Sequence, residues 1–280
     1  MSYKSIVCIK PVPDPKYYDR ITINPVTKTI TREGIPSIIN PADKHALEAA
    51  LQIKERYGGE VIVITMAPPN AEENLREALA MGADEAVLLS DRAFGGADTL
   101  ATSYTLACGI AKLGGFDLIF TGVESADGAT SQVPAQLAEQ LNIPHLWNVK
   151  RLADIDNNRI RADVQMENGY MKYEVELPAL FAVTREINKP RFTTIMGVMK
   201  AKKKPLKVFG SQDIEIEAER SGLKGSPTQA GGIYAPSMGR KGRLLKESAE
   251  ESAAEIIKEL RKAGVVKGNR KIEGGDDRAL

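Results

Sequence analysis

Residues 118–138, which read LIFTGVESADGATSQVPAQLA, decide the fold. They begin as an apolar strand, pass through a loop of small residues and carboxylates at Gly122–Ala129, and continue as a predicted helix from about Thr130 to Leu141. A strand that leads through such a loop to a helix N-terminus can bind a phosphate or pyrophosphate, because free backbone N–H groups and the helix dipole favour an anion. The residues alone fit an ordinary strand–helix loop equally well, since neither a G-x-G-x-x-G nor a Walker pattern is present.

Four residues of this stretch suit a bound anion. Gly122 and Gly128 are predicted to let the backbone turn sharply and approach a ligand closely. Thr130 and Ser131 are predicted to cap the helix and to donate their hydroxyls to a phosphate.

The alternation of strand and helix also runs through the residues that precede this stretch. Strands are predicted at Ser5–Lys10, Glu60–Met66 and Glu85–Leu89, with helices starting at Asn40-Pro41, at an Asn70–Glu73 capping box and at Asp98 or Thr99. This alternation predicts an α/β fold with a doubly wound, mostly parallel sheet, in which ligands bind at the carboxyl ends of the strands. We therefore expect one site to be formed by the loops after Ile9, Met66, Leu89 and Thr121.

The remaining segments are predicted to be antiparallel or extended. An antiparallel excursion is expected at Asp19–Thr31, further antiparallel strands at Arg159–Val164 and Gly169–Leu177, a strand at Ala179–Val183, and a helix at Glu247–Ala263. Between Gly210 and Lys246 the periodicity is weak, which indicates an extended C-terminal arm. We expect an α/β domain over residues 1–205, and an arm and helix over residues 206–280 that pack on a partner.

Composition excludes several classes of protein. The 280 residues carry a formal net charge of +1, so no general attraction to nucleic acid is expected. The two cysteines suit a reducing cytoplasm, and the two histidines are too far apart in sequence to predict a zinc site. No apolar run reaches the length of about 18 residues that would predict membrane insertion. The chain is therefore expected to be cytoplasmic.

The segment Pro190–Lys204 mixes apolar residues with lysines. It is either an amphipathic helix with a solvated basic end or a docking segment for a partner. In the second interpretation Ile195, Met196 and Met199 form an adaptable apolar surface.

Five pieces of the sequence together resemble the β subunit of electron-transfer flavoproteins. They are VCIKPVPD at Val7, NPADKHALEAA at Asn40, ALAMGADEAVLL at Ala78, DGATSQV at Asp127 and PRFTTIMGVMKAKKK at Pro190. Each piece is weak alone, but their order is specific and covers the chain to about Gln229. The resemblance implies a Rossmann-like, adenine-nucleotide-binding fold and a heterodimer with an α subunit. Ordinary members of this family hold AMP in the β subunit, whereas electron-bifurcating members hold a second FAD there.

The nucleotide contacts of the family map onto matching positions of this chain. The resemblance implies FAD or AMP contacts at Cys8, Asn40, Pro41, Ala42, Asp43, Met66, Gly122, Val123, Glu124, Ser125, Ala126, Asp127, Gly128, Ala129, Thr130, Ser131, Gln132 and Val133. Asp127 is either a solvated loop acid or an acceptor for ribose hydroxyls or backbone amides, and Gln132 could reach a flavin or phosphate oxygen. The family's redox chemistry belongs to the flavin, so no residue is assigned as a catalytic acid or base.

The loop SDRAFGGADTLATS, at Ser90–Ser103, resembles the signature of the bifurcating members. The resemblance implies an NADH site formed by Phe94, Gly95, Gly96, Ala97, Asp98 and Thr99, with the ring of Phe94 packing on a ligand ring. Without the resemblance, this loop reads as a glycine-rich connection. The piece GSPTQ at Gly225–Gln229 is also shared with bifurcating members and adds Thr228 and Gln229 to the flavin site.

Four positions of the cofactor loop depart from the bifurcating relatives. Those relatives usually have Gln at the position of Glu124, Asp at that of Ala129, and Gly-Pro at that of Pro134-Ala135. The extra carboxylate of Glu124 would add negative charge near a pyrophosphate or a flavin, which could shift affinity or flavin potential.

Three functions compete at this point. The first is a bifurcating β subunit in which NADH reduces an FAD held by this chain; one electron passes to ferredoxin or flavodoxin, and the other through the α-subunit FAD to an acyl-CoA-type dehydrogenase. The second is an ordinary β subunit with structural AMP and no NADH site. The third is a nucleotide-binding regulatory protein without a redox role, which would not need the docking segment at Pro190.

Overall fold

The computed structural model describes residues 2–20, 22–23, 30–31, 34–156, 158–228, 231 and 242–266. The strands are β1 (Tyr3–Cys8), β2 (Pro11–Pro13), β3 (Thr22–Ile23), β4 (Ile30–Thr31), β5 (Ser37–Ile39), β6 (Gly59–Met66), β7 (Glu85–Leu89), β8 (Leu118–Gly122), β9 (His145–Asp156), β10 (Arg159–Met166), β11 (Gly169–Glu176), β12 (Ala179–Val183) and β13 (Leu206–Phe209). The helices are α1 (Pro41–Tyr57), α2 (Glu72–Met81), α3 (Thr99–Lys112), α4 (Val133–Gln140), α5 (Ile195–Ala201) and α6 (Ala249–Lys262).

A central sheet organises the first part of the chain. Within the described residues it has nine strands in the order β11-β10-β9-β12-β8-β1-β6-β7-β13. Seven neighbouring strands, in the order β9-β12-β8-β1-β6-β7-β13, pair in parallel. At one end of the sheet, β9, β10 and β11 form an antiparallel meander. The predicted α/β fold with a mostly parallel sheet is confirmed, as are the strands expected near Arg159, Gly169 and Ala179.

The sheet buries a different apolar cluster on each face. Val7 of β1 packs with Leu47 of α1, whereas its neighbour Ile6 packs on the other face with Ile110 of α3. This division follows from the alternation of side chains along a strand, and it explains why these strands are apolar at nearly every position. α1 and α2 cover one face and α3 and α4 the other, which makes the sheet doubly wound.

Two helix starts differ from the sequence prediction. α2 begins at Glu72, after a 3₁₀ turn at Pro69–Ala71, so the predicted capping box at Asn70 is wrong. α4 begins at Val133 rather than near Thr130. Its start is delayed because Ser131 has φ of 56°, in the left-handed region that a right-handed helix excludes.

Other predicted elements are confirmed. α1 begins at Pro41 and α3 at Thr99, where the Asp98 carboxylate accepts the N–H groups of Leu100 and Ala101. The excursion near Asp19–Thr31 contains the antiparallel pair β3 and β4, while its Asn24-Pro25 turn lies outside the described residues.

Strand β9 was not expected from the sequence, because HLWNVKRLADID has too many polar residues to read as a strand. Strand β13 lies in the segment predicted to be an arm, yet it pairs in parallel with β7.

The chain divides into two compact units, residues 1–233 and 234–280. The boundary expected after residue 205 therefore falls inside the first unit, where β13 completes the sheet. In the second unit, α6 confirms the helix expected at Glu247–Ala263 and begins with a capping box between Ser248 and Glu251. In the described part of the chain, no helix has both the length and the apolar character needed to span a membrane.

Candidate binding site at the carboxyl ends of the strands

A cavity of about 360 Å³ opens at the carboxyl ends of β1, β6 and β8, where the N-terminus of α3 and the loop before α4 complete its walls. Predicted binding residues that line it are Cys8, Asn40, Asp43, Met66, Ala97, Asp98, Thr99, Gly122, Glu124, Ser125, Gly128, Thr130, Ser131, Gln132 and Val133. Three of the four predicted loops, those after Ile9, Leu89 and Thr121, thus converge on this cavity, whereas β6 contributes its own last residues, Thr65 and Met66, and not the loop that follows them.

Topology explains why the cavity lies here. From β1 the chain proceeds to β6 on one side, and it later returns to β8 on the other side. The connections after β1 and β8 therefore run to opposite faces of the sheet and leave a crevice between them, which is where doubly wound sheets bind ligands.

The predicted binding residues outside the cavity walls are Pro41, Ala42, Phe94, Gly95, Gly96, Val123, Ala126, Asp127, Ala129 and Thr228, while Gln229 lies outside the described residues.

The buried carboxylate of Asp43 joins two of the strand ends. Its Oδ2 accepts the backbone N–H of Lys10 at 2.8 Å, and its Oδ1 accepts that of Gly122 at 3.0 Å. Burial raises the pKa of this carboxyl to about 7, against the opposing effect of its hydrogen bonds. Gly122 is required here because a Cβ at this position would lie 2.5 Å from Asp43 Oδ1.

Asn40 connects the start of α1 to the loop after β8. Its Nδ2 donates to Asp43 Oδ1 at 3.0 Å and to the carbonyl oxygen of Glu124 at 2.8 Å, while its Oδ1 accepts the N–H of Ala126 at 3.1 Å. Asn40 precedes α1 as predicted, but its side chain makes no capping bond, because these partners use it instead.

Lys10 adds a cation to the cavity wall. It was not among the binding residues expected from the sequence. Its Nζ lies 2.6 Å from Asp127 Oδ1 and 3.3 Å from Ser125 Oγ. Burial is the largest single influence and disfavours the Asp127 carboxylate, but the hydrogen bond and charge of Lys10, together with the hydrogen bonds from Ser125 and the Gly128 N–H, outweigh burial and lower the pKa of Asp127. The hydroxyl of Tyr18 also holds this loop, by donating to the carbonyl oxygen of Ala126 at 3.1 Å.

The loop before α4 contains two non-glycine residues with left-handed backbone, Ala129 at φ 47° and Ser131 at φ 56°. Such residues cost about 1–3 kcal/mol each and concentrate at functional sites. Gly128 lies in the preceding turn, which the bond from the Ala129 N–H to the Ser125 carbonyl oxygen closes, so the left-handed positions of the loop are not its glycine. Ser131 also does not cap α4, because its hydroxyl donates to Glu124 Oε2 at 3.2 Å.

Two threonine hydroxyls line the cavity without a partner in the described part of the protein. Thr65 is the second-to-last residue of β6, and Thr121 lies in β8. Both side chains are buried, and neither Oγ1 has a hydrogen-bond partner in that part of the protein. A buried hydroxyl without a partner is costly, and each of these two retains its capacity to form a hydrogen bond. The signal in the sequence is a polar residue near the end of an otherwise apolar strand.

The glycine-rich loop after β7 packs against another part of the chain. The Gly95 carbonyl accepts the N–H of Leu223 at 3.0 Å, and a Cβ at Gly96 would lie 3.2 Å from Leu223 Cβ. The Phe94 ring is buried with Ile214 in an apolar cluster. The expectation that Phe94 packs on a ligand ring is therefore not met, because the apolar ring is already buried in the core.

The end of this loop does reach the cavity, through Ala97, Asp98 and Thr99. The Asp98 carboxylate accepts the N–H of Thr228 at 2.9 Å in addition to its capping bonds. These bonds lower the pKa of Asp98 although burial opposes them. The hydroxyl of Thr99 donates to Gln132 Oε1 at 2.8 Å, so the loops after β7 and β8 touch directly.

A separate apolar surface lies on and beside α5. Ile195 is 83% exposed, and Met196 and Met199 are each 65% exposed. Thr194 caps the helix through its bond to the N–H of Gly197, and Gly197 lies close to Ala80 of α2, where a Cβ would be 2.5 Å from the carbonyl oxygen. The predicted docking residues therefore share one exposed helix that is fixed to α2.

Among the described residues, no cluster of His, Cys, Asp and Glu is arranged to hold a metal ion. The fold and the cavity define a doubly wound α/β protein with a cavity at the switch point of its sheet.

A model of the family described as "Electron transfer flavoprotein domain" matches residues 27–213. The electron transfer flavoprotein subunit beta of Clostridium acetobutylicum is 44% identical over 91% of this chain and 97% of its own length. The caffeyl-CoA reductase-Etf complex subunit CarD of Acetobacterium woodii is 44% identical over 93% of this chain and 99% of its own length. Protein FixA of Bradyrhizobium diazoefficiens is 43% identical over 90% of this chain and 89% of its own length. The chain belongs to the family of electron transfer flavoprotein β subunits.

Proposed function

We propose that this chain is the β subunit of an electron-bifurcating electron transfer flavoprotein that works with an α subunit. In this proposal it binds FAD at the cavity and accepts electrons from NADH. One electron goes to ferredoxin or flavodoxin, and the other passes through the FAD of the α subunit to an acyl-CoA-type dehydrogenase. The observation that carries the proposal is the meeting of three strand-end loops and the end of β6 at one cavity, whose lining includes two threonines with unpartnered buried hydroxyls.

The residues at the cavity suit the ADP half of FAD, or AMP. The hydroxyls of Thr65 and Thr121 can each exchange a hydrogen bond with a ligand. Lys10 supplies a positive charge for a phosphate, although Asp127 shares it. Gly122 keeps the wall free of a side chain at the switch point. When bound, the flavin supplies the redox chemistry, and the protein holds, orients and shields it.

The NADH part of the proposal relies on the loop after β7. The contact between Thr99 and Gln132 brings that loop against the loop of the cavity, so a dinucleotide held by one would lie beside a flavin held by the other. The printed name of the Acetobacterium woodii relative, a subunit of a caffeyl-CoA reductase-Etf complex, supports an acyl-CoA-type partner.

The docking part of the proposal relies on the exposed face of α5. Single exposed apolar side chains are common, but three large ones on one short helix form a surface suited to a partner. We infer that Ile195, Met196 and Met199 contact the dehydrogenase.

The first experiment tests the subtype. The full chain is produced with its α subunit under anaerobic conditions, FAD and AMP are counted per heterodimer, and NADH is added while flavin absorbance is followed. Two FAD, no AMP and rapid bleaching are expected. One FAD, one AMP and no bleaching would establish the ordinary type instead.

The second experiment tests the cavity. Thr65→Val and Thr121→Val remove only a hydroxyl, and each is expected to weaken nucleotide binding about 3–10-fold, the value of one hydrogen bond. Thr105→Val is the matched control, because Thr105 is buried in α3, where its hydroxyl bonds to the carbonyl oxygen of Ala101. Equal affinity for all four proteins would exclude a role for these hydroxyls.

The third experiment tests docking. Ile195→Ala is expected to slow electron transfer to the dehydrogenase at limiting partner concentration, without changing reduction by NADH. Met166→Ala, an exposed apolar position on β10, is the control. Unchanged transfer in the Ile195 variant would argue against docking at α5.

One observation favours the ordinary subtype as a second candidate. The glycine-rich loop is covered by Leu223, and Asp98 already accepts the first N–H groups of α3. In this alternative AMP occupies the cavity, and the loop after β7 is a structural connection without an NADH site.

A further inference from the structure

Asn40 and Asp43 have little hydrogen-bonding capacity left for a ligand. They are 1% and 6% exposed, although both border the cavity. Asn40 Nδ2 has two N–H donors, and they go to Asp43 Oδ1 and to the carbonyl oxygen of Glu124. Both carboxylate oxygens of Asp43 accept hydrogen bonds from within the protein. Most of the hydrogen bonds that these two side chains can form are therefore made within the protein itself.

Their partners are backbone groups on separate cavity walls. Asp43 holds the N–H of Lys10, after β1, and that of Gly122, at the end of β8. Asn40 holds the carbonyl group of Glu124 and the N–H of Ala126, in the loop after β8. The backbone N–H of Asn40 also donates to the carbonyl oxygen of Lys10 at 2.9 Å. One short stretch of chain thus fixes two other segments relative to each other.

We propose that Asn40 and Asp43 form a clamp that positions Lys10 and the 122–126 backbone for ligand binding without touching the ligand. The proposal deepens, and rests on, the nucleotide site described under Proposed function. The family resemblance implies nucleotide contacts at these two residues, and in this proposal their side chains do not supply them.

The ionisation of Asp43 offers a way to test the clamp. Two ionisable groups of the β1 end face it: the Cys8 thiol, whose own pKa is raised by burial, and Lys10, whose charge favours the carboxylate. β8 presents the N–H of Gly122, and the loop after it presents backbone groups through Asn40. When the pH is above the Asp43 pKa of about 7, the carboxylate accepts all its hydrogen bonds. When the pH is below that pKa, one carboxyl oxygen carries a proton that faces an N–H group.

Asp43→Asn imitates the protonated acid in shape and charge. AMP affinity is measured for the heterodimer, freed of bound nucleotide, with the native chain and with the variant. The native protein is expected to bind AMP about tenfold more tightly than the variant at about pH 8.5, since a hydrogen bond to a charged group is lost. The ratio should approach one near pH 5.5, where native Asp43 is protonated. Protonation of the AMP phosphate affects both proteins equally and cancels in the ratio.

Asp117→Asn is the matched control. Asp117 Oδ2 accepts the backbone N–H of Lys4 at 2.7 Å, so it bonds the same strand, β1, at its amino end, whereas the cavity lies at the carboxyl end. This variant is expected to keep native AMP affinity at every pH. A ratio of native to Asp43→Asn affinity that is constant with pH would overturn the clamp.

Amide hydrogen exchange of the full chain tests the clamp without depending on which ligand the cavity binds. In Asp43→Asn, exchange at Lys10 and Gly122 is expected to accelerate at least about tenfold, and β7 should be unchanged. In Asn40→Ala, only the amide of Ala126 should accelerate, which gives a second variant in case the first does not fold. Native-like exchange in both variants would overturn the clamp. Accelerated exchange in a protein that binds no AMP would leave the clamp intact and reject the proposed nucleotide site.

Discussion

Single atoms decide the geometry of the cavity. At Gly122, β8 runs so close to α1 that an added Cβ would lie 2.5 Å from Asp43 Oδ1 and 2.6 Å from Ala42 Cβ. Neither neighbour is a flexible side-chain end, because Asp43 is hydrogen-bonded on both oxygens and Ala42 belongs to α1. The backbone must therefore move if any larger residue replaces this glycine.

We expect Gly122→Ala to lower the free energy of unfolding by about 1–3 kcal/mol, the usual cost of overpacking a buried site. Denaturant titration measures this change. Gly115→Ala is the control, because a Cβ there meets nothing within 4 Å. Equal stability of the two variants would mean that the wall at Gly122 is more adaptable than its contacts indicate.

The ionisation of Asp91 makes the stability of the protein depend on pH in the acid range. Its carboxylate accepts the N–H of Ala93 and both the N–H and the hydroxyl of Ser211, and these bonds lower its pKa to about 2. Its stabilising effect is complete above the unfolded pKa near 4 and is lost as the pH falls toward 2. The Tm difference between native protein and Asp91→Asn should therefore be constant above about pH 5 and narrow between about pH 4 and pH 2. A difference that does not change with pH would contradict this linkage.

At this scale the sequence predicted which loop residues border the cavity better than it predicted what they do. Asn40 was expected to mark the start of α1, but its side chain holds the loop after β8. Lys10 and Thr65 were missed because their roles depend on which loops meet in space, and adjacent residues in the sequence do not indicate that.

Among the elements, α5 depends on an ion pair outside its own residues. The Arg191 guanidinium donates to Glu48 Oε2 of α1 at 2.7 Å and to Glu55 Oε1 at 2.5 Å. The Glu48 side chain is 5% exposed, and the two glutamates raise the pKa of Arg191 above its usual range. This bidentate pair fixes the chain that leads into the docking surface.

Arg191→Ala should cost about 3 kcal/mol of stability, because Glu48 would be left as a buried charge without its partner. Thermal and denaturant unfolding measure the loss. Arg161→Ala is the control, since its pair with Glu174 at 2.7 Å lies on the exposed meander and should contribute nothing measurable. A small effect at Arg191 would indicate that water replaces the guanidinium.

Element types were predicted well where the pattern was regular, and less well where local strain shifted a boundary. The apolar strands and the start of α1 were evident from periodicity and from Pro41. The start of α4 was not, because nothing in the sequence marks Ala129 and Ser131 as left-handed residues. β9 was missed because only its neighbours in the sheet make its polar sequence a strand.

The whole molecule is stabilised mainly by its first unit. Both apolar clusters, and all nine strands found in the central sheet of the described residues, lie between Tyr3 and Ile214. The second compact unit, residues 234–280, contributes no residue to either cluster within the described part of the chain.

A chain ended after residue 233 is therefore expected to unfold within about 3 °C of the full chain, the shift that roughly 1 kcal/mol causes in a domain of this size. Scanning calorimetry measures the two Tm values. A much lower Tm for the shortened chain would mean that residues 234–280 support the sheet.

The position of β12 between β8 and β9 has a consequence for synthesis on the ribosome. The chain emerges from the exit tunnel with β9, β10 and β11 ahead of β12, and short turns allow these three to pair at once. They cannot attach to β8 before residue 183 has emerged. A nascent chain paused before that point presents two separate pieces of the sheet, one ending at β8 and the other at β9, each with an unpaired edge strand. Those two edge strands are the surfaces that a chaperone would need to protect.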